Sequence, residues 1–249
     1  MSALVSIITP SYNSARFIND CVSSVLEQTY TNWELIIIDD DSDDNSKELI
    51  SDFASKDNRI KFVFLTENIG AAGARNIAFE KAEGRYIAFL DSDDIWKKEK
   101  LAKQIDFMQS NNIAFSFSSY EPMSENGKEI FKEIKAPLKM CYNSYLKNTI
   151  IGCLTVVLDK EKVGDVKMPN LRTSQDMALW LSIMKGGIDA YGIEKSLAYY
   201  RIVGNSNTSN KLKVIQGVWK IYREKEKLGY LKSVWCFLNY AFNAVKKRI

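Results

Sequence analysis

Two acidic clusters, Asp39-Asp40-Asp41-Ser42 and Asp91-Ser92-Asp93-Asp94, each follow directly on a short apolar run. Carboxylates one residue apart, such as Asp91 and Asp93, suit a hard divalent ion that carries a diphosphate. Such an ion would neutralise charge building on the diphosphate as a bond to it breaks. The plainer reading is helix capping, which favours Asp and Ser at strand-to-helix junctions. For Asp39–Ser42 the two readings balance. At Asp91–Asp94 three acids exceed what one cap needs. A polar run, Thr9-Pro10-Ser11-Tyr12-Asn13, ends another apolar stretch, and Ser174-Gln175-Asp176 opens a helical one. An acid there could serve the helix macrodipole or act as general base toward a hydroxyl.

The chain has no histidine. This removes Ser-His-Asp and Cys-His chemistry and the usual zinc ligands. A carboxylate is left as the candidate base, and oxygen ligands point to Mg or Mn. The turn Asn68-Ile69-Gly70-Ala71-Ala72-Gly73-Ala74-Arg75-Asn76 is neither Gly-x-Gly-x-x-Gly nor a P-loop. Its glycines read as a tight turn opening a helix. Arg75 could reach a diphosphate bidentately or make a surface salt bridge.

Alternating elements must carry these clusters. Apolar runs at Leu4–Thr9, Trp33–Ile38, Ile60–Leu65 and Tyr86–Leu90 predict buried strands, and helical spacing separates them at Ala15–Leu26, around Leu49-Ile50-Phe53, and at Ala71–Ala82. That rhythm predicts a mostly parallel sheet flanked by helices, with ligands at the carboxyl ends of its strands. Further on, the pattern predicts a helix at Lys98–Asn111, strands at Ala114–Ser119 and Ile150–Leu158, and a helix at Ser174–Met184. From Leu212 it predicts helix to the end, broken near Gly229.

With 249 residues the chain can bury a core without staples. Its four cysteines form no Cys-x-x-Cys pair and read as reduced, buried thiols of a cytoplasmic protein. No secretory pattern opens the chain, and no run reaches the roughly 18 apolar residues of a spanning helix. Residues 211–249 hold ten Lys or Arg against two Glu, a balance of +8 within a total of +3, so the rest sums to −5. An acidic body with a basic tail suggests two partners.

Taken together, these residues resemble glycosyltransferase family 2, whose members have the GT-A fold. Val5–Asn13, Ser24-Val25-Leu26-Glu27-Gln28-Thr29-Tyr30 and Trp33-Glu34 are similar to its opening elements. Asp39–Ser42 resembles its Asp-Asp-Gly-Ser with Asp41 in place of glycine, and Gly70–Asn76 with Leu90–Asp94 completes the donor half. Gln175-Asp176-x-x-Leu179-Trp180 resembles the Glu-Asp-x-x-Leu-Trp of the acceptor half. The stretch from Leu197-Ala198-Tyr199-Tyr200-Arg201 through Asn210-Lys211 looks most like enzymes of teichuronic acid, capsule or O-antigen assembly. The implied organisation is a catalytic domain over 1–210, split into a nucleotide-sugar half (1–97) and an acceptor half (98–210), with a basic, aromatic-rich helical extension over 211–249.

The resemblance also implies roles. Thr9, Pro10 and Tyr12 would border the donor base, with Tyr12 stacking on it. Asp39 would hydrogen-bond uracil, with Asp40 beside it. Asp91 and Ser92 would face the ribose and diphosphate, Arg75 the diphosphate, and Asp93 would be the ligand of Mn or Mg. Asp176 would be the catalytic base of an inverting transfer from a UDP-sugar, a hexose or N-acetylhexosamine, to a hydroxyl of a polyprenyl-diphosphate-linked glycan. Gln175 for glutamate removes a charge beside that base. The alternative is an inactive nucleotide-sugar-binding subunit of an assembly complex, against which both Asp93 and Asp176 are retained.

The basic C-terminus, with Trp235, Phe237, Leu238, Tyr240, Phe242 and Val245, has two readings. One is contact with the cytoplasmic face of the inner membrane, and the other is packing on the domain or in a homodimer. Nucleic acid is not expected, since the acidic edge would repel phosphates and no reader motif appears. A sugar-1-phosphate nucleotidyltransferase would need a glycine-rich loop where Thr9–Tyr12 stands, and a dehydrogenase would need the dinucleotide fingerprint.

Overall fold

The computed structural model describes residues 2–171, 173–204 and 211–246. The stretch 205–210, through which the resemblance runs to Asn210, lies outside the described residues, as do Lys247 and Arg248. Strands β1 (Val5–Ser11) and β2 (Trp33–Asp39), joined by α1 (Ile18–Leu26), are buried along their whole length. Their parallel register sets Ile7 beside Leu35 and Ile8 beside Ile36. Because strand side chains alternate, Ile8, Ile36 and Ile38 enter one core layer with Phe89 and Trp180. Ile7, Leu35 and Ile37 enter the other with Trp33 and Leu101.

After α2 (Ser46–Lys56) and β3 (Ile60–Phe64), helix α3 (Gly70–Lys81) carries the chain back, and β4 (Tyr86–Phe89) joins β1 on its free side. Strand order therefore reverses at β1. A crevice opens beyond the carboxyl ends of strands at such a switch point. The polar clusters at Thr9–Asn13, Asp39–Ser42 and Asp91–Asp94 all follow strands of this parallel half.

Beyond β4 the sheet is mixed rather than parallel. It continues through β5 (Ile95–Trp96), α4 (Lys100–Ser110), β6 (Phe115–Met123), β7 (Lys139–Met140), α5 (Tyr142–Tyr145), β8 (Val157–Asp159), α6 (Lys160–Val163), α7 (Gln175–Lys185) and β9 (Ala190–Arg201). The strand order is β3-β2-β1-β4-β8-β6-β9-β5, with β7 on β9. β8 runs antiparallel to β4 and β6, while β6 and β9 are parallel. The strand expected over Ile150–Leu158 is mostly absent. Thr155 donates to the Gly152 carbonyl from its N–H at 3.0 Å and its Oγ1 at 2.6 Å, which closes a 3-10 turn over Cys153–Thr155.

The twelve-residue β9 has no counterpart in the sequence reading. Its alternation is broken by exposed Glu194 and Lys195, next to the register shifts at Ser118–Glu121 of β6. The thiols also differ from expectation: all four are free, but Cys141 is exposed and Cys153 half-buried, since both lie at chain turns beside α5 and β8.

At the C-terminus, α8 (Lys211–Lys220) runs through a π-helical turn at Ile221–Lys225, breaks before Gly229, and restarts as α9 (Tyr230–Lys246). Among the described residues no helix is long and apolar enough to cross a membrane.

Candidate active site

At the end of β1, Pro10 is buried beside Ile38, Thr9 is buried with its Oγ1 unpartnered, and Tyr12 stands 54% exposed. At the end of β2, Asp39 is fully buried and engaged locally. Its Oδ2 accepts from Ser42 Oγ at 2.6 Å and Ser11 Oγ at 3.2 Å, and its Oδ1 from the Ser42 N–H at 2.9 Å. Asp40 reaches away to α3. Its two oxygens accept from the N–H groups of Ile69 and Gly70, both at 2.8 Å. Capping is thus real for Asp40, but the capped helix is α3, while Asn45 precedes α2 with no side-chain cap. Asp41 has φ 64°, the left-handed conformation that glycine adopts freely and Asp tolerates. The replaced glycine therefore leaves the turn's path intact.

After β4 the acids face one another. Arg75, only 5% exposed, pairs through Nη2 with Asp91 Oδ1, which settles it as a buried ion pair and not a surface one. Burial opposes its charge, but Asp91 and, further off, Asp176 hold it firmly protonated. Its Nε is buried without a partner. Ser92 is buried between the acids. Burial and the neighbouring Asp91 push the Asp93 carboxyl above its ordinary range, and burial with Asp93 raises Asp94 further.

Arg201, at the end of β9, fixes the loop's shape. Its Nε donates to the Asp93 carbonyl at 2.7 Å, its backbone N–H to Asp94 Oδ1 at 2.9 Å, and its Nη1 to the Glu125 carbonyl at 2.7 Å. The guanidinium also packs on Phe17 with 5.0 Å to the ring centroid. The sequence shows Arg201 only as the end of a Tyr-Tyr-Arg run. Its one clue is an arginine closing the apolar stretch Leu197–Tyr200, which does not by itself give it a role.

Asp176 occupies the first turn of α7, whose N-cap Ser174 is left-handed at φ 57°. It is half-buried. Burial raises its carboxyl, against lowering by the Met177 N–H and Arg75. Its charge reaches Asp91, Arg75 and the buried Tyr145. The adjoining Gln175 is buried with Oε1 unpartnered. The turn before it is braced by α8: a Cβ on Gly217 would lie 2.5 Å from Thr173 Oγ1. Arg75, Asp91, Asp93 and Asp176 are thus gathered in one electrostatic group, while Asp39 is held by Ser42 and Ser11 and Asp40 by the backbone at the start of α3. Among the described residues no three His, Cys, Asp or Glu stand together as a ready metal cage.

A sheet whose strand order reverses at β1, with acidic loops and the buried Arg75 and Arg201 at the carboxyl ends of its strands, defines a GT-A glycosyltransferase. The chain belongs to glycosyl transferase family 2, whose model matches residues 6–161. It is 53% identical over 99% of its length, and 98% of the relative's, to TuaG of Bacillus subtilis (strain 168), which bears the name of a teichuronic acid biosynthesis glycosyltransferase. It is 44% identical to WfgD of Escherichia coli, named a UDP-Glc:alpha-D-GlcNAc-diphosphoundecaprenol beta-1,3-glucosyltransferase, over 98% of this chain and 94% of that one. Among solved structures, S. aureus TarS 1–349 in complex with UDP-GlcNAc superposes with TM-score 0.72 at 20% identity, over 94% of this chain and 70% of that chain. The mannosyltransferase PcManGT from Pyrobaculum calidifontis, in complex with GDP-Man and Mn2+, gives 0.71 at 17%, over 97% and 74%. At these identities the structural likeness is one of fold.

Proposed function

We propose that this glycosyltransferase moves a hexose or N-acetylhexosamine from a UDP-sugar to a hydroxyl of a polyprenyl-diphosphate-linked glycan, with inversion. The observation that carries the reading is the electrostatic group formed by the buried Arg75, its ion-pair partner Asp91, and Asp176, whose charge reaches both. A diphosphate would meet the buried cation, and the Asp176 carboxyl, raised by burial, would take up a proton in the same group. WfgD, named for UDP-Glc and a diphosphoundecaprenol acceptor, supports the donor and acceptor classes and makes UDP-glucose the first donor to try.

Asp176 would take the proton of the acceptor hydroxyl. The oxygen then forms its bond to the anomeric carbon from the face opposite the diphosphate, and the breaking glycosidic bond leaves its electron pair on UDP. Arg75 would hold the leaving diphosphate, and Tyr12, exposed at the crevice, would stack on the base.

A divalent cation fits the residues present. The donor set is all oxygen, and Asp93 and Asp94 are buried acids raised first by burial and then by the neighbouring carboxylates, so a bound cation would relieve them. Asp93 would hold Mn or Mg, with the diphosphate and water completing the shell. When bound, the ion would offset negative charge growing on the diphosphate.

The test is UDP release from UDP-glucose and UDP-N-acetylglucosamine, with Mn, with Mg and with EDTA, in the presence of a lipid-diphosphate acceptor. Metal-dependent release from one of them, absent in Asp176→Asn, supports the reading. UDP binding without release from any donor would instead favour an inactive subunit.

A further inference from the structure

Helix α9 presents two apolar faces pointing in opposite directions. On one, Ser233, Cys236, Phe237 and Tyr240 pack against the body. On the other, Leu231, Trp235, Leu238, Phe242 and Val245 recur every three or four residues, so they form one stripe. Each is exposed, from 59% at Leu238 to 85% at Leu231. Five large apolar side chains in a row exceed the scattered exposure usual on a monomer's surface.

The sequence of this terminal segment carries charge of one sign. From Lys227 to Ile249 the sequence holds five Lys or Arg and no Asp or Glu. Lys147 joins them from the chain after α5: Asn243 Nδ2 donates to its carbonyl at 3.0 Å. Burial raises the Cys236 thiol on α9, and the charges of Lys232 and Lys147 oppose that rise, so both lysines lie close by.

We propose that this stripe seats in the interfacial layer of an anionic phospholipid bilayer, with α9 parallel to the surface. Leu238 and Phe242 enter the acyl boundary, and Trp235 and Tyr230 sit at headgroup depth. Lys147 and Lys232 meet lipid phosphates. At 17 residues, with Lys232 near its start, the helix lies on the membrane and does not cross it. A second copy of the chain is the poorer occupant. The 4-3-4-3 spacing would suit a coiled-coil seam, but paired α9 helices would bring like charges together with no acid to offset them. The stripe stands apart from Asp93 and Asp176, so this inference holds whichever donor or acceptor is used.

The experiment is flotation of the full chain with vesicles of phosphatidylcholine alone and of phosphatidylcholine with phosphatidylglycerol. Co-flotation is expected with the anionic vesicles and should fall as salt is raised. The double variant Leu238→Ser/Phe242→Ser should lose it, while Lys147→Gln or Lys232→Gln should each weaken binding roughly fivefold. Circular dichroism and UDP binding should be unchanged in all of these, since the altered side chains face away from the core. The proposal is overturned if anionic vesicles bind no protein, or if the double variant binds as well as the parent. It is equally overturned if light scattering shows a dimer that the double variant dissociates.

Discussion

Arg201 Nη2 donates to Asp20 Oδ2 at 2.8 Å, joining residues 181 positions apart and tying the end of β9 to α1. Arg201 is itself almost fully buried, and the same side chain and its backbone hold Asp93 and Asp94. Removing it would leave buried acceptors unpaired, so Arg201→Gln should cost about 3 kcal/mol in urea unfolding. Arg201→Lys keeps the charge but not the fork. We expect it to recover part of the stability while still binding UDP with Mn more weakly than the parent, as calorimetry would read.

Asp176→Asn should leave UDP affinity within a few-fold and lower kcat by roughly a hundredfold to ten-thousandfold, the usual worth of a general base. In the parent, burial raises the carboxyl. If Asp176 is the proposed base it must be deprotonated, so kcat should fall on acidification already above the ordinary carboxylate range. A pH profile that is flat down to that range would remove Asp176 from the role.

Lys100 is buried at the start of α4, where Nζ donates to Gln104 Oε1 at 2.8 Å and lies 4.3 Å from the Trp96 ring centroid. Burial lowers its pKa to about 7. The unfolded chain then binds more protons than the folded one between that value and about 10.4, so stability should rise with pH across this window and level off below it. Lys100→Met should abolish the slope, which is on the order of 2 kcal/mol between about pH 6 and about pH 9. Urea midpoints of both proteins at the two pH values would show it.

Asp41→Ala should destabilise by about 1 kcal/mol, because φ 64° is left-handed backbone that Asp tolerates better than alanine. Asp41→Gly should be close to neutral. The Lys47–Asp41 pair at 3.5 Å is solvated on both sides and adds little. Thermal unfolding of the two variants separates conformation from charge.

The parallel half was legible because burial on both faces writes β1 and β2 as apolar runs interrupted only at Ser6 and Glu34 before their polar ends, and because the acids follow directly on strands. The later half was not. In β9, Glu194 and Lys195 interrupt the alternation where the register shifts against β6, so no period of two survives. Near Gly152 the apolar composition of a strand is spent on a turn. The positions of Asp91, Asp93 and Asp176 could be picked from residue type and placement, whereas the roles of Asp40 and Arg201 depend on partners 29 and 108 residues away. Such pairings leave no local pattern.

Gly217 allows α8 to press directly on Thr173, the residue just before the left-handed turn at Ser174, the N-cap of the helix that carries Asp176. The two segments therefore mesh like gear teeth, with no side chain between them to absorb a slip. A displacement of α8 along its axis must carry the turn with it, so the C-terminal helices set the tolerance to which the Asp176 carboxylate is aimed.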